Sequence, residues 1–134
     1  KDIIDSFDHA ISIWNEDDAE YIEDMKKYSD RWVILPVSPS AEQLSRVLFV
    51  LIDKLLKQTN ASNGEKNVAL NSIIVHETET GYAQCFYEDA YSEKMGGIEL
   101  EDIVFSPTVI DDWADVELFS KLKKGQSFLN PKSV

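Results

Sequence analysis

An aspartate and a histidine stand next to each other near the start of the chain, at Asp8 and His9. A histidine held by a carboxylate can exchange protons near neutral pH, which suits general acid–base catalysis. The apolar residues before the pair recur at helical spacing, so we expect Asp8 and His9 where a helix ends and side chains can project into a cleft. The alternative interpretation is that His9 makes only a capping or packing contact.

A second candidate is Glu77, which lies on a predicted strand just before a hairpin turn. A carboxylate there could hold a planar amidine-like edge through two parallel hydrogen bonds, as carboxylates hold guanidinium groups. The 2-aminopyrimidinone ring of guanine or of a pterin offers such an edge. The alternative is an ordinary exposed glutamate. His76 should point to the opposite face of the strand, and we interpret it as structural.

The residue types that bind metals are too few and too scattered to predict a site. The sequence contains two histidines and one cysteine on separated elements, which gives no zinc-ligand spacing, so we predict no metal ligands within these residues. Cys85 lies on a predicted strand with no histidine near it in sequence, and we interpret it as a small buried hydrophobic residue. The acidic run at 16–18 lacks the pattern of a calcium loop.

Helices and short strands are predicted to position the candidates in the first half of the chain. We expect a helix over residues 1–13, a short helix from about Ala19 to Tyr28 and a strand over 32–35. The strongest pattern is an amphipathic helix over 40–58, capped by Ser40 with Gln43 completing a capping box. Its predicted buried stripe consists of Leu44, Val47, Leu48, Leu51, Ile52, Leu55 and Leu56.

The second half of the chain predicts a hairpin and a C-terminal helical stretch. A polar loop over 59–67 is followed by strand-like runs at 72–78 and 82–88, with Gly81 expected at a positive φ between them. After a short run at 98–105, Ser106 and Pro107 predict a helix that ends near Gly125. Two strands cannot cover the long helix, so we expect further strands from an upstream segment or from other subunits.

Composition limits the class of protein. The 134 residues suit one domain, and 43% hydrophobic with 28% charged residues is typical of a globular chain. A net charge of −12 disfavours direct binding to nucleic acids or to anionic membranes. Neither a secretion signal nor an apolar run of ~20 residues is present, and a single cysteine fits a reducing compartment. We therefore expect a cytoplasmic protein.

Three segments together resemble the 6-carboxytetrahydropterin and 6-pyruvoyltetrahydropterin synthase family. Residues 3–10 resemble the helix end that leads to the family's Asp–His pair, and Asn15 falls where the family often has asparagine. Residues 35–44 resemble the opening of its second helix, and residues 74–83 resemble its Glu–Thr hairpin. The resemblance covers about residues 1–90, and residues 91–134 form a C-terminal appendage with a helix.

The resemblance implies an α+β tunnelling fold: a four-stranded antiparallel sheet with two helices on one face. The fold would be incomplete in this chain, which opens without an initiator Met and within a helical pattern. It would assemble into an oligomeric barrel, as a homohexamer with active sites between subunits. His9 would transfer protons, Asp8 would orient it, Glu77 would anchor the pterin, and Ser40 falls where a hydroxyl residue lies near the pterin.

The activity that the resemblance implies is a zinc-dependent lyase reaction. The substrate would be 7,8-dihydroneopterin triphosphate and the product 6-carboxy-5,6,7,8-tetrahydropterin, on the route to queuosine and other deazapurines. The family's zinc-binding histidines and catalytic cysteine belong to an upstream portion that nothing here matches, so zinc ligands are expected outside this chain. The alternatives are a 6-pyruvoyltetrahydropterin synthase and a non-catalytic pterin-binding or scaffold subunit.

Overall fold

Helix α3 (Ala41–Gln58) is the longest element in the computed structural model, which describes residues 1–60, 69–126 and 128–129. It begins where predicted, because the Ser40 hydroxyl accepts a hydrogen bond from the Gln43 amide at 3.2 Å. The predicted return hydrogen bond, from the Ser40 amide to the Gln43 side chain, is wrong. The Gln43 side chain instead donates to the Met95 carbonyl and accepts a hydrogen bond from Arg46.

The buried face of α3 differs from the predicted stripe. Val47 and Leu51 are fully buried, as predicted, whereas Leu48 and Ile52 are only partly buried. The helix also buries residues outside the stripe, including two charged ones: Arg46, Phe49, Val50 and Asp53. The difference arises because α3 is covered by more than the hairpin, since α4 (Tyr87–Ala90) and α6 (Leu118–Lys123) also contact it.

The strands that the structure describes form three small sheets. Strand β1 (Ile11–Trp14) pairs in parallel with β2 (Trp32–Leu35), and helix α2 (Ala19–Tyr28) connects the two. Strand β6 (Val104–Phe105) extends this sheet antiparallel to β2.

The other two sheets have two strands each. The predicted hairpin is confirmed as β4 (Ile73–His76) antiparallel to β5 (Tyr82–Cys85). Strand β3 (Thr59–Asn60) pairs in parallel with β7 (Phe128–Leu129). Thr59 and Asn60 belong to the predicted loop over 59–67, and the rest of that loop lies outside the described residues.

The N-terminal helix is much shorter than predicted. Helix α1 spans only Asp2–Asp5, a turn follows, and β1 begins at Ile11, so the prediction of helix over residues 1–13 is wrong beyond Asp5. Ile11 and Ile13 alternate with Ser12, a pattern that suits a strand as well as a helix. Pairing with β2 decides the conformation, and Ile13 is fully buried in the sheet.

The C-terminal residues share the hydrophobic core of the preceding ones. The Ser106 hydroxyl caps α5 (Pro107–Asp111) by accepting from the Val109 amide at 3.3 Å, as predicted. The predicted single helical stretch is divided into α5 and α6. Phe105 packs edge-on against the rings of Trp113 and Phe119, at centroid distances of 5.2 and 4.9 Å. The division at residue 90 stays a prediction.

The α+β class is confirmed. The described residues form small sheets with helices, and the complete tunnelling fold and the oligomeric barrel stay predictions. Within the described ranges, no helix combines the length and the apolar character needed to cross a membrane.

Candidate functional site

Asp8 and His9 lie on the turn between α1 and β1, where both side chains face solvent. The side chains are 74% and 88% exposed, respectively, and 3.7 Å separates Asp8 Oδ1 from His9 Nε2. This distance exceeds that of a hydrogen bond, so the two side chains are close but not bonded to each other in this structure. The orienting role of Asp8 stays a prediction.

The backbone at His9 adopts a left-handed conformation, with φ at 55°. It is the one non-glycine residue with positive φ among those that the structure describes. Such a conformation is sterically unfavourable for most side chains, although histidine adopts it more often than most. Residues held in this region persist when their surroundings fix them, and they cluster at functional sites.

Arg31 fixes the turn from the start of β2. Its Nε donates to the Asp8 carbonyl at 3.2 Å, and one Nη donates to the Asp5 carbonyl at 3.3 Å. The other Nη forms a hydrogen-bonded ion pair with the Asp112 carboxylate. Arg31 therefore links the residue before His9 both to α1 and to residues 112–114, called the C-terminal segment below.

The C-terminal segment also contacts the turn directly. Trp113 Nε1 donates to Ser6 Oγ at 2.7 Å, and this hydroxyl in turn donates to the Asp2 carbonyl at 2.7 Å. The Ala114 amide donates to the Asp2 carboxylate at 3.0 Å. Residues 112–114 thus contact α1 and the first residue of the turn that carries His9.

These contacts border a cleft of about 450 Å³, a volume suited to a small ligand. Four carboxylates and one guanidinium give it a predominantly acidic lining: Asp2, Asp5, Ser6, Asp8, His9, Arg31, Val109, Asp112 and Trp113. Sequence reasoning found Asp8 and His9 and missed Arg31 and Asp112. No local signal identifies this pair, because Arg31 and Asp112 lie 81 residues apart.

The other two candidates, Ser40 and Glu77, do not line this cleft. Ser40 is exposed, and the contact that the structure shows for its hydroxyl is the helix cap described above. Its proximity to a pterin stays a prediction.

Glu77 follows β4 directly and is exposed, as the predicted ring anchor requires. Its amide donates to the Gly81 carbonyl at 2.9 Å, which closes the hairpin mouth. The predicted positive φ at Gly81 is wrong, since the glycines with positive φ among the described residues are Gly96 and Gly125. A Cβ at Gly81 would lie 2.9 Å from Thr78 Oγ1, so a larger residue there would force the threonine side chain to move and would break its hydrogen bond with the Gly81 amide.

The remaining histidine and the cysteine lie away from this cleft. His76 is exposed and packs beside Tyr82, with 5.7 Å between ring centroids. Cys85 is 1% exposed, and burial is the main reason that the pKa of its thiol is raised to about 11. A neutral buried thiol is a poor nucleophile and a poor metal ligand.

The sequence matches the family described as 6-pyruvoyl tetrahydropterin synthase over residues 1–88. The chain belongs to this family. The match includes all four candidate residues of the pterin synthase site, namely Asp8, His9, Ser40 and Glu77.

Two proteins of Helicobacter pylori are similar to this chain, and both bear the name 6-carboxy-5,6,7,8-tetrahydropterin synthase. The protein of strain J99 is 30% identical over 120 residues, which cover 89% of this chain and 60% of that protein. The protein of strain 26695 is 29% identical with the same coverage. This chain therefore spans about 60% of the length of the curated relatives it matches. Because the similarity is longer than the family match, it continues into the segment after residue 88.

Proposed function

We propose that this chain is part of a lyase that converts 7,8-dihydroneopterin triphosphate to 6-carboxy-5,6,7,8-tetrahydropterin. The observation that carries the proposal is the similarity to two proteins that bear this product's name. The resemblance of residues 3–10, 35–44 and 74–83 to the family adds the substrate and the route to queuosine to the proposal. The single cysteine, which fits a reducing compartment, adds a cytoplasmic location.

In this proposal His9 transfers protons to and from the substrate. Its ring is 88% exposed and borders the cleft, so a ligand can reach either ring nitrogen. Asp8 places a negative charge 3.7 Å from Nε2, and closure of this gap when substrate binds would orient the ring. The left-handed backbone at His9 supports a functional assignment, because such conformations are enriched where residues act on ligands.

Glu77 would anchor the pterin ring, and Ser40 would lie near it. Neither residue borders the Asp8–His9 cleft within the described part of the chain. We therefore propose that a complete site forms between subunits, with Glu77 of one subunit facing His9 of another in a homohexamer. The exposed Ile74 and Tyr82 on the outer face of the hairpin support this proposal, because they leave apolar surface available for a neighbouring subunit.

Zinc belongs to the proposed activity, but the residues of this chain do not fit a zinc site. His9, His76 and Cys85 lie on separate elements, and the thiol is buried. Among the residues that the structure describes, no group of three or more histidine, cysteine or acidic side chains is arranged to hold a metal ion. We propose that the zinc ligands lie outside this chain, in the portion of the relatives that it does not span.

Product analysis tests the proposal. The protein as it is encoded, with these residues inside it, is incubated with 7,8-dihydroneopterin triphosphate, and the products are identified by mass spectrometry. Formation of 6-carboxy-5,6,7,8-tetrahydropterin is the expected result. The family's name favours a second candidate, and a 6-pyruvoyl product would establish it.

A third candidate, a non-catalytic pterin-binding or scaffold subunit, is favoured by the lack of a metal-ligand set among the described residues. Substrate that is bound but not converted by zinc-loaded protein would establish the pterin-binding form. Calorimetry with neopterin measures that binding directly.

A further inference from the structure

We infer that Arg31 and Asp112 are a positioning pair that fixes the turn on which His9 stands. The inference rests on the proposed proton-transfer role of His9. Neither residue belongs to the predicted site, and Asp112 lies beyond the residues that match the family.

The Arg31 guanidinium donates to backbone carbonyls of α1 and of the turn that carries His9. Arg31 Nε binds the carbonyl of Asp8 at 3.2 Å, and this carbonyl belongs to the peptide unit that joins Asp8 to His9. A second nitrogen binds the Asp5 carbonyl at 3.3 Å, one turn earlier. These two bonds hold the orientation of the peptide plane before His9 relative to α1, and thereby the direction in which the imidazole leaves the backbone.

The left-handed backbone at His9 must be stabilised by its surroundings. A positive φ raises the free energy of a non-glycine residue, so the turn would relax if its surroundings did not restrain it. The amides of Phe7 and Asp8 bond back to the carbonyls of Ile4 and Asp5 at 3.1 Å, whereas the bond that spans His9, from the Ala10 amide to the Phe7 carbonyl, is long at 3.4 Å. Arg31 supplies the restraint that these bonds lack.

Asp112 holds the guanidinium in place from the opposite side. It follows α5, and the next two residues contact the same region, since Trp113 binds Ser6 and Ala114 binds Asp2. The backbone next to Asp112 is therefore held near the turn, and the ion pair links Arg31 to it. The C-terminal segment becomes a support for the His9 turn.

A direct role of Arg31 in binding the substrate's phosphates fits the structure less well. Its side chain is 24% exposed, and each of its three nitrogens already donates to the protein. Four aspartates surround it in the cleft: Asp2, Asp5, Asp8 and Asp112. Their negative charge disfavours placement of the substrate's triphosphate directly beside Arg31. We therefore assign Arg31 a positioning role rather than contact with substrate.

The test is a double-mutant cycle on turnover by the protein as it is encoded. Arg31→Ala and Asp112→Asn are each measured alone and combined with His9→Asn, since asparagine tolerates the left-handed backbone. A displacement of about 1 Å at a catalytic group can lower the rate by ~10²-fold. We expect Arg31→Ala to lower kcat by that order with KM nearly unchanged, and to have no further effect when His9 is already replaced.

Two variants serve as controls. Arg31→Lys keeps the positive charge but loses the planar set of N–H donors. Its kcat should therefore be only slightly higher than that of Arg31→Ala. Lys121→Ala removes a comparable ion pair, with Asp115 at 2.7 Å, and should leave kcat unchanged. If Arg31→Ala lowers kcat by the same factor in wild type and in the His9→Asn variant, the inference is overturned. A rise in KM at constant kcat would also overturn it.

Nuclear magnetic resonance separates this inference from the role of His9 in catalysis. His9→Asn identifies the ring signals of His9 in the protein as it is encoded, and the signals of His76, identified in the same way, serve as an internal reference. Arg31→Ala should shift the His9 signals and speed amide exchange in residues 8–10, with His76 unaffected. Unchanged His9 signals would overturn the positioning role, whereas full activity of His9→Asn would overturn the proposed catalytic role instead.

Discussion

The Arg46 guanidinium on α3 donates to the Gly96 carbonyl at 2.6 Å, linking positions 50 residues apart. Arg46 is 1% exposed, and burial lowers the pKa of its guanidinium. Its charge is compensated by acceptors within one short segment and on its own helix: the carbonyls of Asp89, Ala90, Ser92 and Met95, and the Gln43 side chain. A single buried side chain thus organises the segment that follows the hairpin.

Arg46→Ala should therefore destabilise the fold strongly. The substitution leaves several carbonyls without a donor, and each buried unsatisfied group costs about 1–3 kcal/mol. We expect the free energy of unfolding, measured by urea denaturation, to fall by at least ~3 kcal/mol, with a smaller loss for Arg46→Lys, which keeps some donors. Lys27→Ala on the exposed side of α2 is a control with an expected change of less than about 0.5 kcal/mol. A loss below about 1 kcal/mol for Arg46→Ala would contradict this account.

The buried thiol of Cys85 should make stability fall at alkaline pH. Burial raises the pKa of this thiol from 9.0, its ordinary value, to about 11 in the folded protein. The contribution of the protonated thiol to the free energy of unfolding is therefore complete below pH 9 and is lost as the pH rises toward 11. Between pH 8 and pH 10.5, wild type should lose roughly 2 kcal/mol more than Cys85→Ala. Urea denaturation of both proteins at both pH values measures this difference. Subtracting one protein from the other cancels the titration of the lysines and tyrosines that both contain. Equal losses would show that the thiol titrates alike in the folded and unfolded chain.

Glu77→Gln should weaken pterin binding. A carboxylate can accept from the ring N–H and the exocyclic amine together, whereas glutamine offers one acceptor oxygen. Loss of one partner of such a charge-assisted pair costs on the order of 2–5 kcal/mol, which corresponds to ~30-fold or more in Kd. Calorimetry with neopterin compares the two proteins, with Glu79→Gln in the same exposed turn as the matched control. Equal affinities of wild type and Glu77→Gln would make Glu77 an ordinary surface residue.

The assembly should be oligomeric. Ile74 is 49% and Tyr82 62% exposed, and the partly buried Leu48 and Ile52 on α3 add apolar surface that a neighbour could cover. Light scattering at micromolar concentration should report a multimer, and the family resemblance predicts a homohexamer. A stable, well-folded monomer at that concentration would exclude a site shared between subunits.

Local patterns predicted the elements whose boundaries are set by neighbouring residues. Helix α3 begins at the Ser40 cap, α5 begins after Ser106, and the hairpin forms over the predicted runs. Asp8 and His9 were recognised because they are adjacent in sequence.

Features set by distant contacts were not predictable in this way. Strand β1 was mistaken for helix because its register depends on β2, and the break between α5 and α6 arises where Trp113 and Ala114 bind Ser6 and Asp2. Arg31 joins residues 23 to 81 positions away, so no local window contains its partners.

The central claim is that His9 transfers protons during turnover. The most direct test is the kcat for 7,8-dihydroneopterin triphosphate of wild type and of His9→Asn, in assembled protein with equal zinc content. Asparagine keeps the left-handed backbone, whereas His9→Ala should also lower the free energy of unfolding by ~1 kcal/mol. We predict a fall in kcat of ~10²–10⁴-fold for both substitutions, the range for loss of a general acid–base. Undiminished turnover by His9→Asn would contradict the claim and leave His9 a residue of the turn.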